Sequence, residues 1–323
     1  ILKDLGKLKE AELLQRKAIE LDPNFADSHS DLGITLKDLD NLQEAEICTR
    51  KAIELKPDFA EAYSNMGSIL KDLGKLQEAE FSFRKAIEIK PDLASGYYSL
   101  SLLKFTDDKK MWQDKLFSES IIKNKSKKDQ IDIYFARANI HHKEKKYEES
   151  SKYLQLANNL KLDLNPSDSD YFINKSSTLL IESHKKEINK KEHKSSSKSI
   201  FIVGMFRSGS TLLESILSMN TNVNALGEIK IFEESFLESK KVDQKLTLAE
   251  LYWKEVNHYI NEQKTTTNKW LYNYQYAGII SNQIPNAKII HCYRNPLDNI
   301  LSIYRAHFSR KNEYSSSLID CTN

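Results

Sequence analysis

The chain has 323 residues, of which 40% are hydrophobic and 29% are charged, and its formal net charge is +2. This length allows two domains, and the near-neutral charge argues against a general nucleic-acid or membrane-surface binder. Three scattered cysteines without metal or redox spacing favour a reducing compartment, and no apolar run reaches the length of a membrane span. We therefore expect a globular, cytoplasmic protein.

The first third of the chain repeats itself with a period of 34 residues. The segments DLGKLKEAE, DLDNLQEAE and DLGKLQEAE begin at Asp4, Asp38 and Asp72, and a proline closes each unit. Small residues such as Gly33 let two antiparallel helices approach closely, while large residues fill the space between units. This period is that of tetratricopeptide repeats, so we predict an all-α solenoid of such repeats over residues 1–98.

The repeat becomes irregular before the second domain begins. Residues 99–165 read as diverged tetratricopeptide-like helix pairs, with Ala138 and Ala157 at the close-contact positions. Residues 166–198 read as a helical linker that becomes rich in lysine and serine. A solenoid of this kind usually binds a protein or peptide on its concave face, which is the partner we expect here. A rigid spacer or oligomerisation arm is the alternative.

The second domain begins with an apolar strand that runs into a loop and a helix, IFIVGMFRSGSTLLE. Gly204, Gly209 and Thr211 have the spacing of a nucleotide triphosphatase loop, but Ser210 replaces its lysine and Arg207 adds a cation inside the loop. Backbone N–H groups at a helix N-terminus still suit a tetrahedral anion. The segment STLLESILSM that follows is predicted to be a helix with its apolar residues on one side. The loop therefore predicts binding of an anion other than Mg-ATP.

Two further strand ends bring basic residues to the same predicted edge. The segment AKIIHCYRNPLDNILSIYRAHF places Arg294 at the end of a strand and Ser302 two turns into the next helix, and another strand ends near Lys269. Ligands of open α/β sheets bind outside the carboxyl ends of the strands. We therefore expect Arg207, Lys269 and Arg294 to bind a ligand with two anionic groups, without a metal. A kinase with a lysine-less phosphate loop is a weaker alternative.

These motifs carry a family resemblance. GMFRSGSTLLESIL resembles the 5′-phosphosulfate loop of sulfotransferases, and YRNPLDNILSIYRAHF resembles their 3′-phosphate motif. With the repeats, the chain resembles bacterial tetratricopeptide-repeat sulfotransferases, whose catalytic part is similar to protein-tyrosine sulfotransferases. The resemblance implies an α/β, P-loop-like parallel-sheet domain over residues 199–323. Compared with members of this family, we expect this domain to be incomplete at its C-terminus and the chain to be truncated at both ends.

The resemblance also implies roles for individual residues. Those that would bind the 5′-phosphosulfate of 3′-phosphoadenosine 5′-phosphosulfate are Arg207, Ser208, Gly209, Ser210 and Thr211. Arg294 and Ser302 would bind the 3′-phosphate of this donor. Glu228 stands where tyrosylprotein sulfotransferases have their general base, and Lys269 matches their catalytic lysine. Arg207 would join Lys269 in stabilising charge on the sulfuryl group.

The implied activity is sulfuryl transfer to a hydroxyl acceptor, either a protein tyrosine or a glycan, without a metal. The repeats would bind a protein partner or the acceptor. A tetratricopeptide interaction scaffold that carries an inactive sulfotransferase remnant is the alternative. Two of the roles also have plainer interpretations: Glu228 as an ordinary carboxylate at a helix start, and Lys269 as a solvated loop lysine.

Overall fold

The structure is a computed structural model that describes residues 8–104, 110–185, 198–260, 265–308 and 312–322. The chain divides into two compact units, Ile1–Asn165 and Pro166–Asn323. The lysine- and serine-rich run of the predicted linker lies outside the described residues. Within the described ranges, every helix is too short or too polar to cross a lipid bilayer.

The first unit is all-helical where it is described, as the repeat period predicts. This unit includes a short 3₁₀ helix at Glu119–Ile121. Its α-helices are α1 (Leu8–Leu21), α2 (Ala26–Asp38), α3 (Leu42–Leu55), α4 (Ala60–Asp72), α5 (Leu76–Ile89), α6 (Ala94–Leu102), α7 (Lys110–Phe117), α8 (Lys127–Lys143) and α9 (Tyr147–Leu164). Consecutive helices pack in pairs, α2 with α3, α4 with α5 and α8 with α9.

Small and large residues at repeated positions account for this packing. Ala45 and Ala79, which stand at the same position of successive repeats, are completely buried. A Cβ atom on Gly33 would lie 2.1 Å from Thr49 Oγ1, so α2 and α3 could not approach as closely with a larger residue. Phe83 belongs to a core cluster shared by α4, α5, α6, α7 and α8. The stack therefore buries apolar surface that one helix pair alone would expose.

The second unit is an α/β structure built on a parallel sheet. Its strands are β1 (Ser199–Gly204), β2 (Val223–Ala225), β3 (Thr265–Asn268) and β4 (Lys288–Cys292). All described pairings are parallel, and the strand order is β2-β3-β1-β4. Its α-helices are α10 (Ser169–Lys185), α11 (Ser210–Ser218), α12 (Ile231–Glu238), α13 (Leu248–Val256), α14 (Ala277–Gln283) and α15 (Pro296–Tyr304). The predicted fold class, a helical repeat region followed by a parallel-sheet domain, is therefore confirmed.

Aromatic residues form the core of the second unit. Phe201 on β1 packs against Phe232 and Tyr252, from α12 and α13. Helix α10, which lies in the segment predicted as a helical linker, packs on α14 and on the 3₁₀ helix Leu271–Tyr276. The Lys175 ammonium of α10 donates a 2.6 Å hydrogen bond to Glu233 of α12. The second unit therefore includes a helix that precedes the first strand.

Candidate active site

The loop between β1 and α11, residues 204–211, has a backbone that most residues cannot adopt. Gly204 has a φ of +145°, and a Cβ there would lie 2.4 Å from the Cys292 carbonyl oxygen on β4. Arg207 and Gly209 also have positive φ angles, +67° and +99°. Gly209 is the N-cap of α11, so the free N–H groups of the first helical turn follow it directly. The Ser208 hydroxyl oxygen is buried without a hydrogen-bond partner among the described residues.

The structure brings three of the predicted site residues together beside this loop. Arg207 Nε donates a 3.2 Å hydrogen bond to Ser302 Oγ, and Arg294 Nη1 donates a 3.3 Å bond to the Arg207 carbonyl oxygen. We call Arg207, Arg294 and Ser302 the arginine–serine cluster. Both arginines are solvent-exposed, so their remaining N–H groups are accessible to an anionic ligand.

Local sequence explains how Arg294 and Ser302 reach the loop. Arg294 follows β4, whose last residue, Cys292, pairs with Gly204 at the end of β1. The Asn295 side chain caps α15 by accepting a 3.2 Å hydrogen bond from the Asp298 N–H, and a proline occupies the first turn. The strand end and the helix start are thus fixed close to the loop.

Three other predicted residues form a second group. Lys269 Nζ donates hydrogen bonds to Glu228 Oε1 at 2.6 Å and to Thr211 Oγ1 at 3.1 Å. We call Thr211, Glu228 and Lys269 the lysine–carboxylate cluster. The Lys269 side chain is 6% exposed, whereas the Glu228 side chain is 51% exposed. The ammonium group is therefore fixed inside the protein, while the carboxylate opens to solvent.

Strand pairing sets the positions of Glu228 and Lys269. The Leu226 N–H donates to the Thr267 carbonyl at 3.0 Å, and the Lys269 N–H donates to the Gly227 carbonyl at 2.9 Å. These two bonds continue the parallel pairing of β2 and β3 beyond the end of β2. Glu228 therefore emerges beside Lys269 at the carboxyl edge of the sheet.

Glu214 is a buried residue near these clusters that sequence reasoning missed. It lies on α11 and is 6% exposed. Its Oε1 atom accepts hydrogen bonds from Thr267 Oγ1 at 2.7 Å and from the Gly227 N–H at 3.2 Å. Glu214 is the last residue of the segment IFIVGMFRSGSTLLE, but the segment gives it no role, because both of its partners come from distant parts of the sequence.

A cavity of about 320 Å³ borders the loop. Gly204 and Phe206 form part of its wall, together with Phe172, Tyr272 and Tyr314. The Phe172 and Tyr272 rings stack with centroids 5.6 Å apart. Burial raises the pKa of Tyr272 to about 12, so this phenol stays neutral at physiological pH. The cavity can hold an apolar or aromatic group beside the loop.

The two clusters offer different chemistry. Arginine N–H groups and helix N-terminal N–H groups favour phosphate or sulfate oxygens. A half-exposed carboxylate can accept a proton from a hydroxyl group. The fixed ammonium of Lys269 can stabilise negative charge that develops next to it.

Family models match segments in both units of the chain. Residues 199–323 match the model of a sulfotransferase family. Tetratricopeptide-repeat models match residues 1–25, 14–47, 60–93 and 131–163. An uncharacterized protein of Aquifex aeolicus (strain VF5) is 32% identical over 139 residues, which cover 36% of this chain and 18% of that protein. The chain thus spans less than two thirds of the length of this curated relative.

Solved structures similar to this chain match between about half and three fifths of it. MamA is 22% identical, with 51% of this chain and 95% of that chain covered and a TM-score of 0.37. PilF of Pseudomonas aeruginosa is 18% identical, with 57% and 81% covered and a TM-score of 0.37. YrrB, described as a TPR protein with an unusual peptide-binding site, is 19% identical, with 53% and 85% covered and a TM-score of 0.34.

Proposed function

We propose that this chain, which joins tetratricopeptide repeats to a sulfotransferase-family domain, transfers a sulfuryl group from 3′-phosphoadenosine 5′-phosphosulfate to a hydroxyl acceptor on a protein or glycan. One observation carries the proposal. The loop of residues 204–211 contributes Arg207 to the arginine–serine cluster and Thr211 to the lysine–carboxylate cluster. Groups suited to hold an anionic donor and groups suited to move a proton therefore meet at one loop.

The residues of the loop and the arginine–serine cluster fit such a donor. The close approach of β4 to Gly204 and the Ser208 hydroxyl, which has no partner among the described residues, are features of a loop that accepts an anion. In this proposal the 5′-phosphosulfate is held by Arg207, Ser208, Gly209, Ser210 and Thr211. Arg294 and Ser302, which both bond to Arg207, hold the 3′-phosphate, the role that the resemblance to sulfotransferases implies for them. The bound donor supplies the activated sulfuryl group.

Glu228 is the proposed general base. One of its carboxylate oxygens is held by Lys269, and the side chain remains half exposed, so an acceptor hydroxyl can reach it. Taking the proton of that hydroxyl makes its oxygen a better nucleophile. The tyrosine side chain and the sugar hydroxyl both satisfy this chemistry.

Lys269 and Arg207 are the proposed charge-stabilising residues. Sulfuryl transfer, like phosphoryl transfer, is catalysed mainly by positioning and by stabilising charge in the transition state. Lys269 Nζ donates one hydrogen bond to Thr211 of the loop and another to Glu228. The buried ammonium group is therefore already held between the loop and the proposed base. Arg207 places a second cation on the same loop.

The repeats complete the proposal by binding a protein partner or the acceptor itself. The 34-residue units stack into a surface that is typical of peptide recognition. A cytoplasmic location is also part of the proposal, because Cys48, Cys292 and Cys321 are all free thiols.

A transfer assay tests the proposal. The full chain is incubated with the ³⁵S-labelled donor and a panel of tyrosine-containing peptides and oligosaccharides, with and without EDTA. We expect label in at least one acceptor class, unaffected by EDTA, and calorimetric binding of adenosine 3′,5′-bisphosphate without a metal.

The assay separates the competing functions. Binding of the bisphosphate without any transfer would favour the interaction scaffold with an inactive catalytic remnant. Preferential, magnesium-dependent binding of ATP would contradict both readings and favour a kinase.

A further inference from the structure

We infer that Glu214 is a positioning residue that fixes the geometry between Glu228 and Lys269. This inference rests on the proposed function, because it assigns the two residues a shared catalytic task. Glu214 touches neither of their side chains in its described hydrogen bonds. It acts through the backbone of Gly227 and the side chain of Thr267.

The hydrogen bonds of Glu214 end directly next to both catalytic candidates. Gly227, whose N–H is bonded to Glu214 Oε1 at 3.2 Å, immediately precedes Glu228. Thr267, whose hydroxyl is bonded to the same oxygen at 2.7 Å, lies two residues before Lys269 on β3. A single carboxylate oxygen therefore ties together the two chain segments that carry the ion pair.

Gly227 is held through both of its backbone polar groups. Its φ of +70° ends the strand geometry of β2. Its N–H donates a hydrogen bond to Glu214 Oε1, and its carbonyl oxygen accepts a 2.9 Å hydrogen bond from the Lys269 N–H. Removing the Glu214 bond would free the peptide that directs the Glu228 side chain toward Lys269.

The burial pattern of α11 supports a specific task for Glu214. The apolar residues Leu212 and Ile216 of this helix are 67% and 55% exposed, whereas Glu214 is 6% exposed. Burying a carboxylate costs free energy unless hydrogen bonds compensate for its lost hydration. The helix therefore buries its carboxylate where the carboxylate accepts two hydrogen bonds, and it leaves Leu212 and Ile216 exposed.

The same helix also carries Thr211, three residues before Glu214 and one helical turn away. Thr211 accepts a hydrogen bond from the Lys269 ammonium, while Glu214 holds the backbone beside Glu228. Helix α11 thus contributes Thr211 to the lysine–carboxylate cluster and, through Glu214, bonds the residue that precedes Glu228. The helix that begins at the anion-binding loop also sets the position of the proposed base.

The decisive experiment compares substitutions at position 214 in the full chain. Glu214→Gln keeps an oxygen that can accept both bonds, Glu214→Ala removes it, and Glu214→Asp keeps the charge but shortens the reach. Ser218→Ala, at the exposed end of α11, is the matched control. Hydrogen exchange of the Gly227 amide by NMR is measured with each variant, and transfer from the ³⁵S donor to a tyrosine peptide is measured in parallel.

We expect Glu214→Ala to speed exchange at Gly227 by on the order of tenfold, because one hydrogen bond is lost. We expect its kcat to fall by on the order of 100-fold, the size typical of a misplaced catalytic group, with little change in the KM for the donor. Glu214→Gln and the Ser218 control should behave as the wild type. Glu214→Asp should show the same direction of change as Glu214→Ala, which keeps the test valid if the alanine variant does not fold.

Two results would overturn the inference. One is unchanged Gly227 exchange in both the alanine and aspartate variants. The other is a glutamine variant as impaired in kcat as the alanine variant, since the negative charge and not the position would then matter. If the wild-type chain transfers no sulfate to the peptide, the proposed tyrosine activity fails, while the exchange measurement still decides whether Glu214 holds Gly227.

Discussion

Lys269 Nζ lies 2.6 Å from Glu228 Oε1, although 41 residues separate the two in the chain. The pair is asymmetric, because the lysine side chain is buried and the glutamate side chain is half exposed. An ion pair at a protein surface contributes little to the stability of the fold. The position of this pair beside Thr211 supports the catalytic role that we propose for it instead.

Replacing Glu228 with glutamine should abolish most transfer without weakening nucleotide binding. The amide can still accept the bond from Lys269, but it cannot take a proton from the acceptor. General-base catalysis typically contributes about 10²–10⁴-fold, so we expect a rate loss of that order. The rate with the ³⁵S donor and calorimetry with adenosine 3′,5′-bisphosphate measure the two effects separately.

Glu234→Gln is the control for this prediction, since Glu234 is an exposed carboxylate in the first turn of α12. It should leave both quantities unchanged. A Glu228→Gln variant that lost nucleotide binding and transfer in equal measure would show that Glu228 acts in binding and not as the base.

Replacing Arg294 with alanine should weaken binding of adenosine 3′,5′-bisphosphate. Hydrogen bonds to charged groups contribute about 1.5–3 kcal/mol, which corresponds to a loss of roughly 10- to 150-fold in affinity. The substitution also removes the bond to the Arg207 carbonyl oxygen, which helps to hold the loop. Calorimetry at constant ionic strength measures the change.

Lys288→Ala provides a matched loss of one positive charge. Lys288 is exposed at the opposite, amino-terminal end of the same strand, β4. Its substitution should leave affinity almost unchanged. Equal weakening by both substitutions would mean that net charge, and not the arginine–serine cluster, determines binding.

The sequence alone predicted the repeat unit well because its packing is local. A helix and its successor contact each other within one 34-residue period, so small residues such as Ala45 are recognisable by their spacing. The catalytic-domain motifs were also visible, because each joins a strand end to a helix start. The structure places Arg207, Lys269 and Arg294 at the carboxyl ends of β1, β3 and β4.

The supporting residues of the site could not be predicted in this way. Helical periodicity gave α11 an apolar side, but the structure exposes Leu212 and Ile216 and buries Glu214. The partners of Glu214 come from β3 and from the turn after β2, a strand of only three residues. Contacts between such distant segments leave no periodic signal in a single sequence.

Acidification should destabilise the first unit through His141. This ring stacks on Tyr153 at a centroid distance of 5.6 Å and lies 4.8 Å from the ring of Phe117. Burial lowers the pKa of His141 from its usual 6.5, an effect that the nearby Glu144 carboxylate opposes. The unfolded chain therefore binds a proton more readily than the folded one. The associated stability is complete above pH 6.5 and is lost as the pH falls below that value.

The opening free energy of α8, measured by hydrogen exchange after correction for intrinsic rates, tests this pH dependence. It should decrease between about pH 7.5 and about pH 5.5, the range in which histidine titrates. His141→Phe keeps an aromatic ring in the stack without a titratable group, so the decrease should shrink. An unchanged decrease in this variant would assign the pH dependence to other groups.

Two phenylalanines of α5 test whether the repeats are stabilised by burying one face of each helix while the other face stays exposed. Phe83 is 1% exposed within the core cluster shared by α4 to α8, whereas Phe81, two residues earlier, is 67% exposed. Phe83→Ala should lower the free energy of unfolding by about 3–5 kcal/mol, because it leaves a cavity. Phe81→Ala should change it by less than about 0.5 kcal/mol. Urea unfolding of the full chain, followed by far-ultraviolet circular dichroism, compares the two variants. Similar losses in both would mean that Phe81 is covered in solution, by a partner or by a second copy of the chain.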